Sequence, residues 1–347
     1  MQKKLSRSLA FGAVVAAVIL GSGSASAEVS KELIAKAKAE GEVVWYTTMV
    51  VDQVVRPVAA AFESQYGIKV SFVTGGWRDV ALRVSNEAKA GSVKGDVYDS
   101  SEALGAMLPD GLVEAYRPQS AANFPDDLKD KDGYWTAAIM QPMVAAVNTD
   151  MVEEADYPKT FEDLLDPKWK GQMAWTNNPT LSGPVGFIGA VLETMGEDKG
   201  MDYLKKLAQQ KIANVPSNQR VVLDQAIAGQ YPLVLSVYNY HVAISQDKGA
   251  PIKPIHLDVS QMNTGMAGML KGAPHPNAAK LFLEYFYSEA GQKIAASAGY
   301  IPVSPDVKAK HPELNPLAGK FKVISFSPTN VGDKPAHWLD IYKTLFE

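Results

Sequence analysis

Residues 137–148 form a long, mostly apolar stretch in the middle of a chain whose two flanks alternate strand and helix. That placement constrains the fold more than any other feature. A run of this length suits a strand that crosses from one body to another, and the alternation starts afresh behind it. On the N-terminal side, residues 30–40 read as a short helix ended by Gly41, and 43–46 as a strand. Residues 54–66 are amphipathic, with Val54, Val58, Ala61 and Phe62 on one face, and Gly67 stops them. Strand 68–73, helix 80–90 and strand 96–98 follow, the last ending at Asp99-Ser100-Ser101. On the C-terminal side, Thr160-Phe161-Glu162-Asp163 reads as a capping-box start. Strand 172–175, a helix opened by Leu181-Ser182-Gly183-Pro184, helix 221–228 and strand 231–237 come next. Residues 255–257 and 264–270 are expected to carry the chain back, and helices after 275 finish it. This is an α/β pattern with a largely parallel sheet.

The N-terminus indicates where such a chain works. Lys3, Lys4 and Arg7 precede an apolar run over residues 9–20, and Ala25-Ser26-Ala27 gives a small-residue cleavage pattern. Residues 1–27 therefore read as a secretory signal peptide, with a core too short to span a membrane. Cleavage after Ala27 leaves roughly 320 residues, a length that favours two domains. There is no cysteine, which removes thiolate metal sites, iron–sulfur clusters and cysteine nucleophiles. A net charge of −4 gives no reason to expect nucleic acid or a membrane surface as partner.

His275-Pro276-Asn277-Ala278-Ala279-Lys280-Leu281-Phe282-Leu283-Glu284-Tyr285-Phe286, Ser288-Glu289-Ala290-Gly291-Gln292 and Gly299-Tyr300-Ile301-Pro302-Val303 together resemble the C-terminal signature of extracellular solute-binding proteins of ABC importers. No ligand atom is identified in this stretch, and Phe282, Tyr285, Phe286 and Tyr287 read as core with one solvated edge. Ala61-Phe62-Glu63, Tyr66-Gly67-Ile68-Lys69-Val70, Gly95-Asp96-Val97 and Asp166-Pro167-Lys168-Trp169-Lys170-Gly171 add matches in the family's order. The resemblance implies a type II periplasmic-binding-protein fold, with two α/β lobes, a hinge of two crossing strands, and a ligand between the lobes. Lobe one is expected at 28–140 plus 265–347, and lobe two at 141–264. It also implies a periplasmic protein acting as a single copy, with no cofactor. Its expected partners are a small-molecule solute and the membrane subunits of an ABC permease.

In open α/β sheets, ligands lie outside the carboxyl ends of strands, where helix N-termini point. The candidates there are Thr47, Thr48, Ser100 and Ser101 from lobe one, and Asn177, Asn178 and Ser182 from lobe two. Arg78 opens a helix and could pair bidentately with an anion. Asn239, Tyr240 and His241 follow a strand. The ferric-iron-binding branch of the family carries paired tyrosines here, and Tyr240 with Tyr238 would serve if iron were bound. The adjacent pair is absent, because Asn239 separates the two. The family's histidine falls near Met49 or Val50, and its glutamate falls at Ser101 beside Glu102. The inventory favours a small organic anion, with ferric iron, alone or with a synergistic anion, as the alternative. An exported hydrolase is remote. The sequence holds no HExxH, Walker loop, GxGxxG or GxSxG motif.

Overall fold

The computed structural model describes residues 29–318, 320–326 and 331–347; the leader expected at 1–27 lies outside them. The chain begins with α1 (Lys31–Glu40), β1 (Glu42–Thr47), α2 (Arg56–Tyr66), β2 (Lys69–Thr74), α3 (Trp77–Lys89), β3 (Val97–Asp99), α4 (Ser101–Met107) and β4 (Val113–Glu114). The long strand β5 (Thr136–Asn148) leads to β6 (Met173–Thr176), α5 (Pro184–Met195), α6 (Glu197–Ala208), β7 (Ala213–Val215), α7 (Gln219–Ile227), β8 (Leu233–Tyr238), α8 (Asn239–Gln246) and β9 (Ile252–Ile255). A second long strand, β10 (Ser260–Leu270), returns the chain to α9 (Pro276–Tyr287), α10 (Glu289–Ser297), β11 (Ile301–Pro302), β12 (Val323–Ser325) and α11 (Lys334–Leu345).

Local chemistry sets these boundaries. Ser30 Oγ accepts from Leu33 N at 3.1 Å to start α1, and Gly41 ends it at φ 77°, a left-handed position that glycine takes without steric cost. Helix α3 starts at Trp77, three residues before the expected Val80, because the Asp79 carboxylate accepts from Gly76 N at 2.9 Å and caps the turn. That puts Arg78 in the first turn of the helix. Helix α6 was not expected from the sequence.

The strand order is β2-β1-β3-β10-β5-β8-β6-β7. Strands β2, β1 and β3 are parallel, as are β8, β6 and β7, and the antiparallel pair β10 and β5 stands between the two groups. Strand β5 changes partner along its length. Up to Pro142 it pairs with β10, and from Met143 it pairs with β8. Proline has no N–H to give to a ladder, so it suits the point where one ladder ends and the next begins. The result is two α/β lobes bridged by two long strands.

Each lobe has a core on both faces of its sheet. In the first, Trp45 and Tyr46 are consecutive on β1 and so point to opposite faces. Trp45 packs with Phe62, Phe282 and Phe286, and Tyr46 with Tyr98 and Leu104. The Trp45 and Phe282 rings lie 5.2 Å apart. In the second lobe Trp175 packs with Phe187 and Leu204 on one face, and Ala174 with Val222 and Val234 on the other. Phe282, Tyr285, Phe286 and Tyr287 are all buried, so the expected solvated edge is absent. The reason is that α9 lies under α1 and over the sheet, with the Tyr287 hydroxyl donating to Thr136 O at 2.7 Å. The expected span of lobe one includes α11, yet this helix packs its Trp338, Ile341 and Tyr342 into the Trp175 core of the second lobe. Gly189 on α5 makes room for it: a Cβ there would stand 2.6 Å from the Trp338 ring.

Candidate functional site

A cavity of about 280 Å³ opens where the carboxyl ends of β1 and β3 face those of β6 and β8. The first lobe contributes Thr48 and Met49 after β1, Trp77 from α3, and Asp99, Ser100, Ser101 and Glu102 from the β3–α4 junction. The floor is Ile139 and Gln141 of β5 with Asn263, Thr264 and Gly265 of β10; Gln141 and Asn263 are register partners. A Cβ on Gly265 would come within 2.5 Å of the Ile139 side chain, so the two crossing strands need glycine there. The second lobe contributes Asn178, Thr180 and Ser182 ahead of α5, Gln219 at the start of α7, and Tyr238 and Tyr240 around the start of α8. Tyr300, ahead of β11, completes the wall.

Two carboxylates stand in this wall, and no Lys, Arg or His among the described residues lines it. Asp99 is 1% exposed. Its Oδ1 accepts from Thr48 N at 2.8 Å and Thr48 Oγ1 at 2.7 Å, while its Oδ2 is buried with no hydrogen-bond partner. Burial pushes the Asp99 pKa up, and the hydroxyls of Thr47 and Thr48 beside it only partly offset this. Glu102 Oε2 accepts from the hydroxyls of Ser100 and Ser101, each at 3.1 Å. Thr264 Oγ1 is a second buried polar atom without a partner in the same cavity. Buried polar groups are ordinarily bonded, and these two unpaired atoms belong to residues of the same cavity wall. Ser100 is unusual in another way. Its φ is 108°, a region L-residues rarely occupy, and the bond from its N to Met266 O at 2.8 Å holds it there. Such strain costs on the order of 1–3 kcal/mol and clusters at functional sites.

The aromatic side of the cavity is continuous. The Tyr238 and Tyr240 ring centroids lie 5.4 Å apart, and those of Tyr240 and Tyr300 lie 4.6 Å apart. Burial raises the pKa of all three phenols, helped at Tyr238 by the Glu102 charge. They are neutral hydroxyls at physiological pH, offering ring faces and hydrogen bonds.

Of the residues expected from sequence, Thr48, Ser100, Ser101, Asn178, Ser182 and Tyr240 line the cavity together, with Tyr238. Thr47 is buried, with Oγ1 accepting from Met49 N at 3.1 Å, and shapes the turn behind the wall. Asn177 is exposed outside the lining. Asn239 is fully buried and donates to Leu314 O at 3.2 Å. His241 is outside the lining, but its ring lies 4.4 Å from that of Tyr240 and 5.5 Å from that of Tyr238, and burial with the neighbouring Arg220 charge lowers its pKa to about 4. Arg78 does not reach the cavity. It lines a neighbouring one, with its guanidinium 4.8 Å from the Trp77 ring centroid. Tyr300, in the C-terminal stretch where no ligand atom was identified from sequence, also lines the cavity. The backbone ahead of β11 turns its side chain in against Tyr240. Asp99, Gln141, Gln219, Asn263 and Thr264 were also missed. Asp99 had a legible signal, a carboxylate at a strand's carboxyl end. The residues on β5 and β10 had none, since facing a cleft depends on how the two strands pair.

Several known proteins are similar to this chain. Residues 93–327 match the family described as bacterial extracellular solute-binding protein. The chain belongs to that family. A probable ABC transporter periplasmic-binding protein of Sinorhizobium fredii is 27% identical over 273 residues, covering 75% of this chain and 74% of the relative. An Fe(3+)-binding periplasmic protein of Serratia marcescens is 24% identical over 278 residues, covering 77% and 80%. Among solved structures, iron-bound HitA from Pseudomonas aeruginosa superposes with a TM-score of 0.74 at 22% identity, over 88% of this chain and 99% of that one. The periplasmic binding protein AfuA from Actinobacillus pleuropneumoniae, with exogenous fructose-6-phosphate bound, superposes at 0.70 and 23%, over 88% and 98%. The fold of this family member is therefore the two-lobed fold of periplasmic binding proteins, and family and fold are those of transport proteins rather than enzymes.

Proposed function

We propose that this solute-binding protein captures a small cationic solute in the cleft between its lobes, in the periplasm, and hands it to the membrane permease of an ABC transporter. The observation that carries the reading is the charge of the cavity: Asp99 and Glu102 face it, and no cationic side chain among the described residues does. The organic anion expected from sequence rested on Arg78 together with strand-end hydroxyls and the helix start at Asn178 and Ser182; those polar residues line the cavity, but its expected cation, Arg78, stands in the neighbouring one. An anion placed beside Asp99 and Glu102 would meet like charge, whereas a cation would find counter-charge and ring faces.

Capture follows hinge closure. A cation binds to the first lobe, and the second lobe closes over it as β5 and β10 absorb the backbone change. We place lobe one near 28–140 plus 265–318 and lobe two near 141–264 together with the C-terminal α11, with one chain sufficient for capture. Ligand shifts the open–closed balance only through contacts it gains on closing, and Tyr238, Tyr240 and Ser182 supply those. Delivery to a permease rests on the kind of relative the chain resembles. Calorimetric titration of ligand-stripped protein with small ammonium compounds and with carboxylates and phosphate esters tests the reading. Saturable binding of cations is expected, and binding of anions alone would sink it.

Ferric iron is the second reading. It is favoured by three phenols, Tyr238, Tyr240 and Tyr300, converging on one cavity, and by the Serratia relative's name. No group of three or more His, Asp and Glu side chains suited to a metal occurs among the described residues. Iron would thus depend on deprotonating buried phenols. A visible tyrosinate absorption on adding ferric citrate would establish it.

A further inference from the structure

We infer that Asp247 at the end of α8, with Lys310 and His311 on the segment after β11, forms an ion-pair latch between the lobes. The latch favours the closed form of the empty protein and tightens when His311 is protonated. It rests on closure about β5 and β10, and not on which solute the cleft takes.

The first step comes from where α8 stands. By chain order it belongs to the second lobe, between β8 and β9, and its Val242 packs with Val144 and Val222 in that lobe's core. Its other side reaches the first lobe. Tyr240 and Ala243 pack into the first-lobe core with Tyr300, Ala309 and Leu314. A Cβ on Gly299 would meet the Ile244 side chain at 3.4 Å, so that residue too lies against the first lobe. At the start of the helix, Asn239 Nδ2 donates to Leu314 O at 3.2 Å. One helix of the second lobe therefore touches the first along its length, and each of these contacts is made without a ligand.

The second step comes from the charges where that helix ends. Asp247 Oδ2 accepts from Lys310 Nζ at 2.6 Å and lies 3.3 Å from His311 Nε2. His311 Nδ1 lies 3.5 Å from Glu313 Oε1. The hydrogen bond from Lys310, with the His311 charge, holds the Asp247 carboxyl below the usual carboxylate range, so it is ionised in neutral and mildly acidic solution. The charged groups facing His311 are Asp247 from the end of α8 and Glu313 from its own segment, with Lys310 sharing Asp247. With His311 neutral, this cluster carries two negative charges and one positive. Protonation balances it and places a cation between one carboxylate from each lobe. An imidazole ordinarily titrates near about pH 6.5, so this change falls in the range a solute-binding protein can meet. None of the four residues lines the solute cavity, so latch and solute act separately on one open–closed balance.

The test is a spin-label distance measurement on the stripped, full-length mature protein with no solute added. The chain has no cysteine, so Leu82→Cys on α3 and Val221→Cys on α7, both at exposed positions, put one label on each lobe. Asp247→Asn and His311→Gln are made in this background, each with a thermal melt to show that it folds. Asp247→Asn should shift the balance toward the longer, open distance by about two- to fivefold, the usual worth of an exposed ion pair. Salt at about 1 M should do the same to the parent and little to Asp247→Asn. The parent should be more closed at about pH 5 than at about pH 8, and His311→Gln should lose that response. An open population that Asp247→Asn leaves unchanged would overturn the latch while lobe motion stands. A single distance, the same in every variant and buffer, would overturn the latch and hinge closure together. A pH response that survives in His311→Gln would overturn the part given to His311.

Discussion

The two walls of the cleft differ in charge and in how finished they are. The first-lobe wall carries both carboxylates, an oxygen of Asp99 with no partner, and a strained Ser100. The second-lobe wall is neutral and already bonded to itself. Gln219 Nε2 donates to Ser182 O at 2.6 Å, Asn178 N to Thr176 Oγ1 at 3.0 Å, and the Thr180 and Ser182 hydroxyls lie 3.1 Å apart. Its polar atoms are largely satisfied without a ligand. The difference assigns separate work to the two lobes. The first recognises charge. The second is a preformed, partly aromatic cover whose affinity for the ligand is spent on closing.

The largest expected effect is on the charged wall. Asp99→Asn should weaken cation binding by tenfold or more, since hydrogen bonds to charged groups contribute about 1.5–3 kcal/mol. The same change should raise the melting temperature of the empty protein at pH 7. The sign follows from burial. The folded pKa of Asp99 is raised, so its stabilising contribution is present only below the unfolded value and is lost as pH rises through the folded one. Ionised Asp99 is thus a cost in the empty protein that asparagine removes. Affinity for a cation should also fall on acidification, beginning above the usual carboxylate range, because bound cation requires the ionised form. The titratable neighbours of Asp99 are the phenols Tyr287 and Tyr300, both with raised pKa values, and Glu102 in the same cavity. A melting temperature that falls in Asp99→Asn, with unchanged affinity, would erase the contrast between the walls.

Next in size is the aromatic cover. Tyr240→Ala removes a ring packed against Tyr238 and Tyr300, and should weaken binding about tenfold and speed release. Tyr240→Phe keeps the ring face and should change affinity by no more than a few-fold. Loss of all binding in Tyr240→Phe would instead point to a phenolate that coordinates metal. Glu102→Gln is expected to cost somewhat less than Asp99→Asn, because Glu102 already accepts from two serines. The smallest effect is expected at Arg78. Arg78→Ala should leave a small monoamine's affinity nearly unchanged; a clear loss of an anionic solute's affinity would restore the anion reading.

The sequence made the architecture legible and the chemistry only partly so. Alternating punctuation such as Gly41 and Gly67, and the apolar stretch over β5, carried the two lobes because those signals are local. Helix α3 began earlier than expected because a single cap, Asp79 to Gly76, outweighed the glycines before it. Strand-end residues such as Ser100 and Ser182 line the cavity as expected because a β/α fold turns the carboxyl ends of its strands toward the cleft. Arg78 lines the neighbouring cavity instead. Its position at a helix start is visible in the chain, but whether it faces the polar or the apolar cavity depends on how the lobes pack. Tyr300 and Thr264 reach the site from 36 residues apart through the pairing of β11 and β10 with β5, a relation no local pattern records.

The most direct test of the central claim is a thermal-shift comparison of the mature protein after unfolding and refolding to strip carried-over solute. Small primary ammonium compounds, small carboxylates and phosphate esters, and ferric citrate would each be supplied at millimolar excess. Ligand at a thousandfold its dissociation constant adds about 4 kcal/mol, which this method resolves easily. A clear rise with the ammonium compounds, absent in Asp99→Asn, is the expected result. A rise with an anion or with ferric citrate, and none with any cation, would contradict the account.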